Sequence, residues 1–347
     1  MSRQAEARPA IEDGGPGRAQ AGAQGQNAQA QAPQDTTPQD KTPQDKTPAR
    51  RSVAARVGRP SPGWALPGVL FFAVFAVVPM LYAVYLSFCG SWGGLGSPHF
   101  SGVSNWTRLF QDTDVRQATV TTIVLTVLSW AFQTPCALLL GVWAAGREKN
   151  RAVLSAVFFI PLVLSTTAIA LLFKAVLDPN FGLATTIGPW IGFSDGNIIG
   201  SPNGALFAVA FVGGWQFIPF HTLLYQGGAR QIPEVLYQAA AIDGCGRYRQ
   251  FFHITLPQLR HTITTSSVLI IVGSLTSFET VFLLTSGGPG TSSTTLSYGM
   301  YREAFQGFDF GYASALGTAL VVVSTLLSLL MVKFSGFGSM RSTREGM

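Results

Sequence analysis

Residues able to do chemistry are sparse in this chain, and the densest group is a polar stretch held between two prolines. It reads Gln231-Ile-Pro-Glu-Val-Leu-Tyr-Gln-Ala-Ala-Ala-Ile-Asp-Gly244, then Cys-Gly-Arg-Tyr-Arg-Gln-Phe-Phe-His-Ile-Thr-Leu-Pro257. Pro233 suits the first turn of a helix, Glu234 favours its positive dipole end, and Gly244 suits a left-handed C-terminal cap. A short helix over about Pro233 to Asp243 is therefore predicted. A second, from about Gly246 to Thr255, should stop at Leu256-Pro257, because the residue before a proline is pushed out of helical geometry. Small Ala239, Ala240 and Ala241 allow close approach by another surface, while Phe251, Phe252 and Ile254 can pack the second helix inward. The chemistry is recognition: a knob for another protein to grip. A hairpin lying on lipid headgroups would need a stronger apolar face opposite a Lys/Arg-rich one.

Catalytic chemistry is hard to find. No Gly-Lys-Ser/Thr occurs, so no phosphate-binding loop is present. Paired carboxylates, nucleophile–base spacings and metal clusters are missing from the apolar blocks, which speaks against an enzyme. Cys89, Cys136 and Cys245 form no CxxC and read as small packing residues, and His221 has no partner at metal-ligand spacing.

The elements that must carry the loop are apolar. Hydrophobic residues make up 47% of the 347, charged residues only 12%, and mean hydropathy is +0.30, a membrane-protein balance. The net charge of +6 is spread between apolar blocks and not clustered with aromatics, so a nucleic-acid partner is not expected. Six blocks, roughly Leu66 to Phe88, Ala118 to Ala145, Ala152 to Leu177, Ala205 to Gln226, Ile263 to Thr285 and Ala313 to Val332, are each long enough to cross about 30 Å of hydrocarbon. Pro79, Pro135, Pro161 and Pro219 should kink these spans without ending them.

Residues 1–60 are rich in Ala, Gln, Gly and Pro, with an APQDT, TPQDK, TPQDK repeat, and cannot bury a core. A disordered, retained cytoplasmic tail is predicted, followed by a transmembrane domain over 64–334 with its loop at 229–261, and a short tail over 335–347. With the N-terminus inside, only Arg108, Arg116, Lys174 and Arg302 of the 23 basic residues fall outside. Basic loops stay cytoplasmic, so both ends are predicted to face the cytoplasm of a bacterial plasma membrane. The outer loops, about Cys89 to Gln117, Asp178 to Gly204 and Ser286 to Tyr312, either cap the bundle or receive something from outside.

At the loop the sequence resembles the permease subunits of ATP-binding-cassette importers. Their signature is Glu-Ala-Ala, three residues, Gly, nine residues, Ile-x-Leu-Pro. Here it reads Gln238-Ala239-Ala240, Gly244 and Ile254-Thr-Leu256-Pro257 with both spacings kept, Gln238 standing where the family has Glu. Phe278-Glu279, Leu284-Thr285-Ser-Gly-Gly-Pro289-Gly, Tyr301, Ala304-Phe305 and Gly311-Tyr-Ala-Ser-Ala315 extend the resemblance to the carbohydrate branch, similar to maltose and glycerol-phosphate permeases.

The resemblance implies an all-α, six-span, MetI-like type I importer fold. It further implies a second homologous permease, a cytoplasmic ATPase dimer that uses the ATP, and an extracellular or periplasmic solute-binding protein. No cofactor is expected on this chain. Glu234, Gln238, Ala239, Ala240, Asp243 and Gly244 would contact the ATPase, with Ile254, Leu256 and Pro257 fixing the return into the bilayer.

Sugars are held by aromatic stacking plus hydrogen bonds, which makes Trp215, Gln216, Phe220, Tyr225, Ser277 and Thr280 candidates for the passage, packing being the other reading of each. Glu279 lies in an apolar run, where an ionisable group is costly; it should line a cavity, meet another subunit or bond a neighbouring helix. Lys174 should snorkel to the interface. Two alternatives remain: the same machine carrying a glycerol phosphodiester or polyol, and an ion-driven secondary transporter, which would leave the docking loop unexplained.

Overall fold

The computed structural model describes residues 62–90, 97–146, 157–193 and 195–334. The tails predicted over 1–60 and 335–347, and the basic loop of Arg147, Lys149 and Arg151, lie outside them. The described residues form helices joined by turns and irregular segments, with an isolated bridge between Cys89 and Phe100.

Among the described residues four helices are long and apolar enough to cross a membrane: α1 (Gly63–Leu86), α3 (Thr113–Ala144), α6 (Pro202–Arg230) and α11 (Phe310–Phe334). Pro135 and Pro219 sit inside α3 and α6 without interrupting them, as expected. α1 buries no side chain and packs against α11, leaving Leu66, Val69, Phe72 and Phe75 exposed. An apolar face of that size has lipid as its natural solvent.

The other two predicted spans are interrupted. The third consists of α4 (Ile160–Val163) and α5 (Thr166–Val176), with Leu164 and Ser165 extended at ψ 148° and 144°. The break falls at Ser165, whose hydroxyl oxygen accepts from the Ala168 amide and caps α5, and not at Pro161. The fifth ends as α9 (Arg260–Leu275) at Thr276 and resumes as a π-helical turn over Val281–Thr285. Thr276 donates its hydroxyl to the Val272 carbonyl, a local bond that competes with helix continuation.

Neighbouring helices satisfy the freed carbonyls. Gln216 Nε2 on α6 donates to Leu164 O at 3.2 Å, and Thr295 and Ser297 donate their hydroxyls to Ser277 O at 3.3 and 2.6 Å. Irregular backbone inside a hydrophobic bundle persists only with such partners.

All three predicted outer loops carry helical segments, the middle one a short turn of helix at Ala184–Ile187 and the other two longer helices. α2 (Ser104–Gln111) is fastened by Asn105, whose buried amide donates to Ser87 O and Cys89 O at 3.1 and 2.7 Å. α10 (Leu296–Phe305) begins at the interrupted fifth span, where its first amide donates to Thr122 Oγ1 of α3. At this end, Arg108 lies 3.8 Å over the Tyr312 ring and 2.7 Å from Asp309, and the Tyr312 hydroxyl donates to Asp112 at 2.7 Å.

The core forms where α3 and α6 run together. One cluster gathers Leu125, Ile169, Val209, Val212, Val281 and Leu284; a second, towards the loop, gathers Ala137, Leu138, Ile218, Tyr225 and Leu259. Gly141 permits this approach: a Cβ there would stand 2.5 Å from Tyr225 Cβ and 2.9 Å from Thr222 O.

Candidate functional site

The loop between α6 and α9 is built as two arms. α7 (Glu234–Ile242) starts after Pro233, which occupies the cap and not the first turn, and it buries no side chain. Its end is a Schellman motif: Cys245 N donates to Ala240 O at 2.8 Å and Gly244 N to Ala241 O at 3.1 Å, with Gly244 at φ +75°. Gln238, Ala239, Asp243 and Gly244 are exposed and Ala240 half-buried, while Val235 and Ile242 are 69% and 87% exposed. An ordered apolar helix face is thus left uncovered.

The second arm differs from expectation. α8 (Arg247–Gln250) runs into a π-helical turn over Phe251–Thr255, and the chain stays helical through Leu256–Gln258, so Pro257 does not end it. The wider turn shifts the hydrogen-bond register just where Pro257 has no N–H to give. The chain bends at Leu259 instead, at φ −83°, ψ 1°.

Phe251 and Leu256 pack against the Tyr225–Leu259 cluster and Ile254 is half-buried, but Phe252 is 59% exposed, contrary to the inward packing predicted for it. The arms are cross-linked: the Tyr237 hydroxyl lies 2.9 Å from Thr255 Oγ1, and Gln250 Nε2 donates to Cys245 O at 2.9 Å.

A cavity of about 660 Å³ opens between α3, α4, α6 and α9. Both interrupted spans reach its wall, through Leu162 and Thr166 of the third and through Ser274 to Thr280 of the fifth. Among the sequence candidates Phe220, Ser277, Glu279 and Thr280 line it. Trp215, Gln216 and Tyr225 stand off the wall. Trp215 packs edge-on to Phe173 at 5.3 Å, Gln216 is buried with its Nε2 donating to the Leu164 carbonyl, and Tyr225 is fully buried at the α3–α6 contact.

Reasoning from sequence missed Ser129 and Gln133 of α3, Thr166, Ser274 and His221 as wall residues. Ser129 and Gln133 sit one helical turn apart on a single face of α3, and that spacing was the available signal. His221 is buried with Nδ1 3.0 Å from Ser266 Oγ, in keeping with a packing histidine. Gln133 Oε1 is buried without a hydrogen-bond partner within the described residues. The cavity wall combines the rings of Phe217, Phe220 and Phe278 with several hydroxyls and the Gln133 amide, the mixture that suits a polyhydroxylated molecule with apolar faces.

Comparison with known proteins places this architecture. Residues 137–335 match the family model described as the binding-protein-dependent transport system inner membrane component. A probable ABC transporter permease of Bacillus subtilis, YurN, is 35% identical over 271 residues, covering 76% of this chain and 92% of its own. The multiple sugar-binding transport system permease MsmF of Streptococcus mutans is 31% identical, covering 79% and 94%. In a bacterial ABC transporter solved for import of the acidic polysaccharide alginate, one chain superposes with a TM-score of 0.68 at 25% identity, covering 80% of this chain and 95% of that one. With the family match running from the end of α3 through α6, the capped loop and α11, the chain belongs to the inner-membrane components of binding-protein-dependent transport systems.

Proposed function

We propose that this chain is the saccharide-conducting permease subunit of an ATP-driven importer, with the cavity beside α3 and α6 as its passage and the 231–257 loop as the grip of a separate ATPase. The observation that carries the reading is that cavity, whose three phenylalanine rings, hydroxyls and Gln133 amide supply both the apolar and the polar contacts that a sugar needs. Its volume lies inside the roughly 300–1,000 Å³ usual for small-molecule sites. Relatives named for multiple sugars and for alginate support a saccharide cargo.

α7 supplies the coupling. Its exposed Gln238, Ala239, Asp243 and Gly244, with the half-buried Ala240, enter a groove on the ATPase as a helix-in-groove contact, and Glu234 begins the same helix. Ile254, Leu256 and Pro257 return the chain to α9. Hydrolysis is the partner's, since this chain has no phosphate-binding loop. A second homologous permease completes the passage, and both termini face the cytoplasm on the charge asymmetry of the loops. Closure of the ATPase dimer draws the loops together, the permeases rock, and the cavity opens to alternate sides.

The test is reconstitution with the partner subunits in proteoliposomes, with Gln238→Cys to cross-link the ATPase. ATP-dependent entry of a labelled oligosaccharide delivered by the binding protein, with a cross-link at position 238, is expected. Entry without ATP, or an active complex that never cross-links there, rejects the reading.

A further inference from the structure

The cavity has an electrostatic sign. Glu279 lines it, is exposed, and follows directly on the interruption of the fifth span. Among the described residues no Lys or Arg lines the cavity, and none pairs with Glu279. The other titratable group in the wall, His221, is buried beside Ser266. Two helix ends also reach the wall, the start of α5 at Thr166 and the end of α9 at Ser274. They carry partial charges of about +0.5 and −0.5, each smaller than that of a full carboxylate. Among the described residues Glu279 thus carries the one whole charge in a wall whose other groups are apolar, as at Leu125, Leu162, Val209 and Ile270, or neutral hydroxyls and an amide, as at Ser129, Gln133 and Ser277, a setting in which a single charge sets the sign of the field.

We propose that Glu279 sets the charge class of the cargo: the passage takes uncharged or amino-bearing saccharides and rejects those carrying carboxylate or phosphate. This rests on the saccharide-permease reading and adds to it a choice that the resemblance to alginate and neutral-sugar importers leaves open. A neutral sugar can donate two hydroxyls to the carboxylate, and an ammonium group gains a charge-assisted hydrogen bond. A uronate or phosphate brought to about 6–10 Å meets repulsion worth roughly tenfold to a hundredfold in affinity at an effective dielectric of about 20.

The experiment titrates the purified permease–ATPase complex at low salt, with no binding protein present to filter the cargo. The probes are diacetylchitobiose, its deacetylated amino form, and digalacturonate, read by calorimetry. In the wild type, the two non-acidic probes should bind at least about tenfold more tightly than digalacturonate. Glu279→Gln should shrink that ratio to about threefold or less, and Glu279→Asp should keep it. Equal affinity for acidic and neutral probes in the wild type, or a ratio untouched by Glu279→Gln, overturns the inference while leaving the saccharide reading standing. Failure of all three probes to bind the wild-type complex overturns both.

Discussion

Ser297 at the start of α10 donates its hydroxyl to the carbonyl oxygen of Ser277 at 2.6 Å, so the interruption in the fifth span is closed by a helix that follows it twenty residues later. Thr295 donates to the same oxygen at 3.3 Å. Ser297→Ala together with Thr295→Val should leave a buried carbonyl unpaired and destabilise the protein by about 1–3 kcal/mol. Thermal unfolding in detergent reads this; an unchanged midpoint would mean that the break is held by something else.

Gly244 sits at φ +75° with no atom within 4 Å of where a Cβ would be. Gly244→Val is therefore strained by backbone conformation and not by collision, costing about 1–2 kcal/mol locally. The expected outcome is a subunit that reaches the membrane with its bundle intact but has lost ATPase association and uptake. Gln238→Glu, on an exposed face of the same helix, should be tolerated. Normal uptake by the Gly244 variant, measured in vesicles, would remove the cap from the coupling mechanism.

Gly141 poses the opposite case. A side chain there meets Tyr225 Cβ and the Thr222 carbonyl below 3.0 Å. Gly141→Leu should force α3 and α6 apart and cost roughly 1–3 kcal/mol or more, seen as loss of folded protein on extraction. Gly213→Ala on α6, where no atom lies within 4 Å, is the matched control and should fold normally.

Asp112 gives a pH dependence. Burial pushes its carboxyl up, but the Tyr312 hydroxyl, the Asp114 and Val115 amides and the Arg108 guanidinium outweigh that and hold it below the usual carboxylate range. A value lowered on folding stabilises the protein above the unfolded pKa of about 4, and that contribution is lost as pH falls through the folded value. Unfolding midpoints taken from about pH 7 down to about pH 3 should fall less steeply in Asp112→Asn than in the wild type. Parallel curves would show that the clasp around Tyr312 is insensitive to this charge.

The sequence reveals the long elements because hydropathy alone dictates them: α1, α3, α6 and α11 lie where the apolar blocks run, and Pro135 and Pro219 pass through as predicted. The left-handed cap at Gly244 was legible from its own residue type. The interruptions at Leu164 and Thr276 were not, since a run of apolar and hydroxyl residues reads as one span until the partner donors are known, and those come from Gln216, Thr295 and Ser297, far away in the chain. The fate of Pro257 was missed for a related reason: a π-helical turn leaves no compositional mark. In the cavity, Phe220, Ser277, Glu279 and Thr280 could be picked by chemistry, whereas Gln216 and Tyr225 look equally suitable until helix packing buries them away from its wall.

Leu259, 1% exposed, belongs at once to the root of the loop and to the Ala137–Ile218–Tyr225 cluster between α3 and α6. Tyr237 ties α7 to Thr255 of the second arm, and the Leu259 amide donates to the Thr255 carbonyl at 3.0 Å, so two hydrogen bonds link the outer helix to that shared knuckle. One buried leucine thus yokes the loop to the ends of α3 and α6.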